Sequence, residues 1–161
     1  GKMTEVSAAM GLTNLESIED LVAVNRCNYE AYRIGLSGIP GIVLMPFNSA
    51  ERNNYQYVVL EIDEADYGLT REELIRVLHA ENVLARKYFW PGCHRMEPYR
   101  SVYPYAGIFL PETERVAARV IILPTGTAMS EASVALVCGI LRSAAEQSDK
   151  IRTALSGKVN A

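Results

Sequence analysis

The stretch NYQYVVLEIDEADYGLTREELIRVLHAENVLARKYF, residues 54–89, decides the fold. NYQYVVLEID (54–63) is rich in β-branched and aromatic residues, which suit a pleated, half-buried surface, and reads as a strand. LTREELIRVLHAEN (69–82) reads as a helix. Thr70 stands at the N-cap and Glu73 three residues on, the spacing of a capping box; Leu74, Ile75 and Leu78 then fall on one face, and Asn82 suits the stop. VLARKYF (83–89) reads as a third strand.

Outward from this unit the same signals continue. GIVLMPF (41–47) is a strand separated from NYQYVVLEID by the polar loop SAERNN, so the two form a hairpin. Upstream, residues 4–36 read as helical, with a break expected between Gly11 and Asn14 and an apolar stripe beginning at Ile18, Leu21 and Val22. Downstream, FLPETERVAARV starts a short helix on Pro111, with Glu112 and Glu114 in the first turn, where negative charge meets the helix dipole favourably. VIILP is a brief strand ended by Pro124. MSEASVALVCGILRSAAEQ places Val134, Val137, Cys138 and Leu141 on one helical face. The tail after Asp149 is expected to fray. Helices grouped around a mostly antiparallel sheet predict an α+β class rather than a doubly wound sheet.

Bulk properties narrow the function classes. The 161 residues suffice for one domain with its own core. Sixteen basic against nineteen acidic residues give a net charge of −3, and 22% charged with 49% hydrophobic residues is ordinary globular composition. Nothing in that balance points to nucleic acid or a membrane surface. No apolar run reaches the roughly 18 residues of a spanning helix, and no basic flank with an apolar signal segment opens the chain, so a cytoplasmic location is expected. Cys27, Cys93 and Cys138 are odd in number and widely spaced, which fits reduced thiols and supplies neither a disulfide framework nor a zinc motif.

The segment RKYFWPGCHRMEPYR (86–100) is the candidate for function. Cys93 beside His94 raises the question of a thiol nucleophile and its base, but neighbouring side chains diverge in irregular backbone, so packing is the expected role of Cys93. A metal would need His79, Cys27 or Cys138 from distant elements, and no ligand spacing supports one. His79, in the last turn of its helix, is expected to cap carbonyls. Tyr88, Phe89 and Trp90 are read either as core or as the wall of a pocket; with Pro91 and Gly92 turning the chain at once, three consecutive rings cannot all point inward. His94, beyond the turn, is the polar handle such a wall would use.

GKMTEVSAAMGL before a long helix, then NYQYVVLEID, the aromatic-Pro-x-x-His segment before PY, and the spacing from LPETE to ILP resemble the C-terminal part of the DegT/DnrJ/EryC1/StrS sugar aminotransferases, from Gly1 to about Ser143. These are pyridoxal 5'-phosphate enzymes of the aspartate aminotransferase-like fold (PLP fold type I) that aminate keto groups of nucleotide-linked deoxysugars. The resemblance implies residues 1–40 as a long helical linker and dimer-contact segment and 41–161 as a small α+β domain. The Schiff-base lysine and the rest of the cofactor domain are expected outside this chain, which begins in mid-motif and would be inactive as a fragment.

Gly1 and Lys2 are assigned by resemblance to the cofactor-phosphate side of a neighbouring subunit, with a solvated first-turn Lys2 as the equal alternative. Tyr88, Phe89, Trp90 and His94 are assigned by resemblance to the segment that closes over the nucleotide-sugar. The implied partners are a second copy of the chain, a nucleotide-sugar and an amino donor, usually glutamate. Two rival readings stand beside this one: a free-standing α+β ligand-binding or interaction module, and a dehydratase or regulatory member of the same family.

Overall fold

Val58, Leu60 and Ile62 are sealed from solvent while Val59 and Glu61 between them are not, the alternation of a strand with one face on a core. In the computed structural model, which describes residues 2–157, this is the central strand β2 (Val58–Ile62) of a three-stranded antiparallel sheet. β1 (Ile42–Leu44) lies on one side and β3 (Val120–Leu123) on the other. Leu60 faces Leu44 across one ladder and Ile121 across the other. The hairpin expected from residues 41–63 is therefore present, and VIILP completes the sheet.

The helices follow in chain order: α1 (Glu5–Glu16), α2 (Ile18–Gly35), α3 (Glu64–Tyr67), α4 (Arg71–Ala80), α5 (Tyr99–Val102), α6 (Pro111–Arg119), α7 (Glu131–Glu146) and α8 (Ser148–Gly157). Short 3₁₀ turns, Cys93–Arg95 and Ala106–Phe109, flank α5. α4 carries its capping box: Thr70 Oγ1 accepts from the Glu73 backbone N–H at 3.2 Å, and Glu73 Oε2 accepts from the Thr70 N–H at 2.8 Å. Its Leu74, Ile75 and Leu78 are buried, and Asn82 takes the left-handed conformation at φ 59° that ends it. α7 buries Val134, Val137, Cys138 and Leu141, as its spacing predicts. It meets α2 closely, since a Cβ on Gly35 would lie 2.6 Å from Cys138 Sγ. Tyr32 of α2 reaches across to donate its hydroxyl to the Pro124 carbonyl at 3.0 Å, tying the helix to the end of β3.

Five expectations are corrected. The helical break lies at Ser17, not between Gly11 and Asn14; a glycine weakens a helix without ending it, and both residues sit inside α1. The apolar stripe of α2 reaches the core only from Asn28, Tyr29 and Tyr32 onward, while Ile18 and Leu21 stay exposed. VLARKYF is not a strand: Val83 and Ala85 are buried, but pairing stops at a single bridge, Arg86 to Ile122. Beyond it the Trp90 N–H folds back to the Lys87 carbonyl at 2.9 Å, and Pro91 has no N–H to offer a ladder. The chain after Asp149 is helical through Gly157. Cys93 is exposed, so it does not serve packing; Cys138 is the buried cysteine, and Cys27 is exposed as well.

Candidate substrate-side site

The segment leaving the sheet at Arg86 is pinned by polar side chains and presents apolar ones. Arg86 exchanges two backbone hydrogen bonds with Ile122, at 3.0 and 2.8 Å, which fixes where the segment starts. Lys87 then reaches the first turn of α4, its Nζ 2.9 Å from Glu72 Oε2, and the same ammonium stands 4.6 Å from the centre of the Trp90 ring. Arg71, buried at the head of α4, lies 6.0 Å from that ring, pairs with Glu72 at 2.6 Å and donates to the Ala117 carbonyl of α6. Partial burial pushes the Glu72 carboxyl up, but its bonds from Lys87 and Arg71 outweigh this and hold it below the usual carboxylate range. Trp90 thus lies against two cations, an arrangement that favours the face of an indole.

None of the three consecutive rings belongs to the core. Tyr88 is half-buried, edge-on to Tyr57 and stacked on Phe89 at 5.4 Å, with Arg86 over its face. Phe89 is 72% exposed and Trp90 51% exposed.

Beyond the turn, His94 comes to rest on Glu114 of α6, its Nε2 2.6 Å from Oε1. Arg95 grips the same carboxylate with two bonds, Nε to Oε1 at 2.7 Å and Nη2 to Oε2 at 2.8 Å. The bonds from Arg95 and from His94 hold the Glu114 carboxyl below its ordinary range. Two glycines make room: a Cβ on Gly107 would lie 2.8 Å from Glu114 Oε1, and one on Gly92, whose φ is 91°, would lie 2.9 Å from His94 Cε1. The imidazole, with Trp90, Arg95, Arg100 and Tyr105, lines a cleft of about 620 Å3. Ile108 of its lining is exposed, as are Tyr99, Val102, Tyr103 and Phe109 in the same stretch of chain.

Of the residues singled out in the sequence, Tyr88, Phe89, Trp90 and His94 fall in one region. Gly1 lies outside the described residues. Lys2 is exposed ahead of Thr4, the N-cap of α1, and makes no hydrogen bond or ion pair with the described residues. His79 donates to or accepts from nothing catalytic; its Nε2 lies 2.8 Å from the Ala85 carbonyl just past its helix, a structural tie. Among the described residues no group of three His, Cys, Asp or Glu side chains is placed to hold a metal, and no helix is long and apolar enough to cross a membrane. Sequence reasoning missed Arg71, Arg95, Gly107 and the role of Glu114, which it gave to the helix dipole alone. The one signal for Glu114 was its place in LPETE.

A pyridoxal phosphate needs an amine to hold its aldehyde and a cradle for its phosphate. Neither this cleft nor the other polar cleft, about 740 Å3 around Arg71, Arg119 and Arg152, is lined by a lysine. Lys87 is already engaged by Glu72 and Trp90. The described residues alone therefore do not fit that cofactor.

Comparison with known proteins gives these residues a context. The family described as the DegT/DnrJ/EryC1/StrS aminotransferase family matches residues 1–142. The dTDP-4-amino-4,6-dideoxy-D-glucose transaminase of Escherichia coli is 34% identical over 141 residues, covering 88% of this chain and 38% of that protein. The crystal structure of DesI in the presence of its TDP-sugar product is 44% identical, with a TM-score of 0.87, over 96% of this chain and 38% of that one. The structure of DesV from S. venezuelae, 23% identical with a TM-score of 0.79, covers 90% of this chain and 37% of its own, a likeness of fold. The chain thus spans about 38% of the length of such relatives.

Proposed function

The chain belongs to the DegT/DnrJ/EryC1/StrS aminotransferase family, and from that premise we propose that it supplies the C-terminal small domain of an enzyme that transfers an amino group to a keto carbon of a nucleotide-linked deoxysugar. Glutamate is the proposed donor. The observation that carries the reading is that the whole pinned segment, from Arg86 through Glu114, lies inside the stretch that matches the family and presents an open, aromatic-rimmed cleft. The likeness to a protein crystallised with a TDP-sugar product supports the substrate class.

In this proposal the cofactor is pyridoxal 5'-phosphate, which serves as the carrier of the amino group, and it is held by residues outside this chain. The residues present here bind and orient. The faces of Phe89 and Trp90 offer flat apolar surface to a base or a sugar ring. His94 and Tyr105 supply polar atoms at the cleft, and Tyr99, Ile108 and Phe109 exclude water once covered. Tyr88, stacked on Phe89, belongs to the same aromatic wall and is proposed with it on the nucleotide-sugar side. Gly1 and Lys2 are proposed at the cofactor-phosphate side of a neighbouring subunit.

The same proposal divides the chain at residue 40, with the first part as helical linker and dimer contact. α1 buries none of its residues and leaves Met10, Leu12 and Leu15 exposed, apolar surface suited to a second copy. Tyr32, Leu36 and Ile39 nonetheless belong to the core of the second part. The unpaired Cys27, Cys93 and Cys138 suit a cytoplasmic setting.

The test is direct. The full-length protein containing this chain is supplied with pyridoxal phosphate, glutamate and a nucleotide-linked 4-keto-6-deoxysugar, and formation of 2-oxoglutarate with aminated sugar is followed. Product from the wild type and its loss when the aromatic rim is stripped, by F89A with W90A, is the expected result. No amination by the wild type with any such keto-sugar ends the proposal.

A further inference from the structure

The proton on the His94 imidazole can be placed from its surroundings. Glu114 receives two bonds from Arg95 and one from His94, three donors that hold its carboxylate in the ionised form. An ionised carboxylate only accepts. Nε2 of His94, 2.6 Å from Oε1, must therefore carry the hydrogen. In the neutral ring the lone pair then sits on Nδ1. That atom has no hydrogen-bond partner among the described residues, yet the one buried side-chain atom there without a partner is Arg71 Nε. Nδ1 accordingly keeps contact with solvent. Gly92 preserves that opening, because a Cβ at this position would lie 3.1 Å from Nδ1.

We propose that Glu114, locked by Arg95, is a positioning residue that acts through His94, fixing Nε2 as the protonated nitrogen so that Nδ1 is presented at the Trp90–Tyr105 cleft as an acceptor for a ligand hydroxyl. The inference rests on the nucleotide-sugar reading for the identity of the ligand, a sugar hydroxyl, but not for the state of the ring. The arrangement selects by polarity: a hydroxyl that donates is accepted, and a group that can only accept meets a lone pair. Gly107 belongs to the device as well, since it lets the carboxylate approach at a distance that any Cβ would obstruct.

The experiment has two arms. In the first, the full-length protein carrying ¹⁵N-histidine is examined by long-range ¹H–¹⁵N correlation; His79 and His94 are the two histidines of these 161 residues, and H79N and H94N assign their signals. The expected result is that the neutral form of the His94 ring, reached on raising the pH, carries its hydrogen on Nε2 and leaves Nδ1 bare. In E114A the two nitrogens should move toward the averaged values of a free imidazole and the Nε2 hydrogen should exchange with water at least tenfold faster, while His79 is unmoved. A bare Nε2 in the wild type, or an E114A spectrum identical to it, overturns the proposal. E114D and E114Q serve as second variants where E114A does not fold: E114D should keep Nε2 protonated, and a His94 ring with bare Nε2 in E114D counts against it.

The second arm uses the full-length enzyme. E114Q and H94N should each raise KM for the nucleotide-sugar about tenfold or more, and the double variant should be no worse than H94N alone, because one residue acts through the other. Additive effects overturn the proposal. Absence of amination in the wild type would sink the functional reading and leave the ring state, decided by the first arm, standing or falling by itself.

Discussion

Substituting Gly92 by alanine separates two effects that the structure makes separable. Gly92 sits at φ 91° and ψ 149°, a region populated almost solely by glycine. Forcing a Cβ there costs about 1–3 kcal/mol from the backbone alone. The added Cβ also meets the His94 ring at 2.9 Å, closer than real contacts allow, and the ring cannot swing freely because Nε2 is held by Glu114. Gly126, at φ 96° with nothing within 4 Å of its Cβ position, carries a positive-φ penalty without the crowding. Gly139, inside α7 and likewise open, carries neither, and there alanine should stabilise by up to about 1 kcal/mol through helix propensity.

The expected order of stability is therefore G139A above wild type, then G126A, then G92A. For a chain of this size each kcal/mol corresponds to roughly 2–4 °C in Tm, so thermal and urea melts of the full chain resolve the series. G92A should in addition displace the His94 ring signals, which G126A leaves in place. The reasoning is refuted if G92A is no less stable than G126A and the His94 signals do not move.

Three further outcomes are expected. Thr70→Ala removes the capping box of α4 and should cost about 1 kcal/mol, read as a lower urea midpoint at unchanged slope; an unchanged midpoint would show that the cap is idle. Glu72, Glu97 and Glu114 all have carboxyl pKa values held below their ordinary 4.5 in the folded chain, so their contribution is present above that value and disappears as pH falls through the lowered ones. Urea midpoints should accordingly drop as pH falls below the ordinary carboxylate range, and E114Q should flatten that drop; an equally steep drop in E114Q counts against it. Trp90 is the sole tryptophan, half exposed at the cleft. In the full-length enzyme W90A should raise KM for the nucleotide-sugar roughly tenfold or more, the equivalent of about 1–3 kcal/mol of stacking; an unaltered KM removes Trp90 from the site.

What could be read in advance was local. The α4 cap depends on Thr70 and Glu73, three residues apart, and the buried face of α7 on a period of 3.6, so both are visible in a string of letters. The hairpin is equally local, and β3 announces itself as VIIL before a proline. VLARKYF failed because its alternation is real, with Val83 and Ala85 buried, whereas pairing depends on the four residues of β3 and on what the chain does after Arg86. The same division runs through the site. Exposed rings at Phe89 and Trp90 follow from the sterics of three adjacent aromatics and a turn. The grip of Glu114 on His94 spans twenty residues and rests on two glycines that matter only once the chain has folded.

The polar and apolar halves of residues 86–114 point to a surface completed by another. Every anchor is on the inner side: the Arg86 bridge, Lys87 on Glu72, and His94 with Arg95 on Glu114. The apolar side chains left outward are Ile108 at 74%, Phe109 at 80% and Phe89 at 72% exposure. A large apolar side chain left in water forgoes about 1.5–3 kcal/mol of burial, and three of them forgo enough to matter against a typical domain stability of roughly 5–15 kcal/mol. A segment held this firmly cannot fold back to hide those side chains without breaking its ion pairs. The anchors thus keep the apolar face outward, as the proposed nucleotide-sugar site and a second protein wall would require. In the proposed enzyme that wall closes the cleft that Trp90 and His94 line, and the ring state fixed by Glu114 is set before the wall arrives.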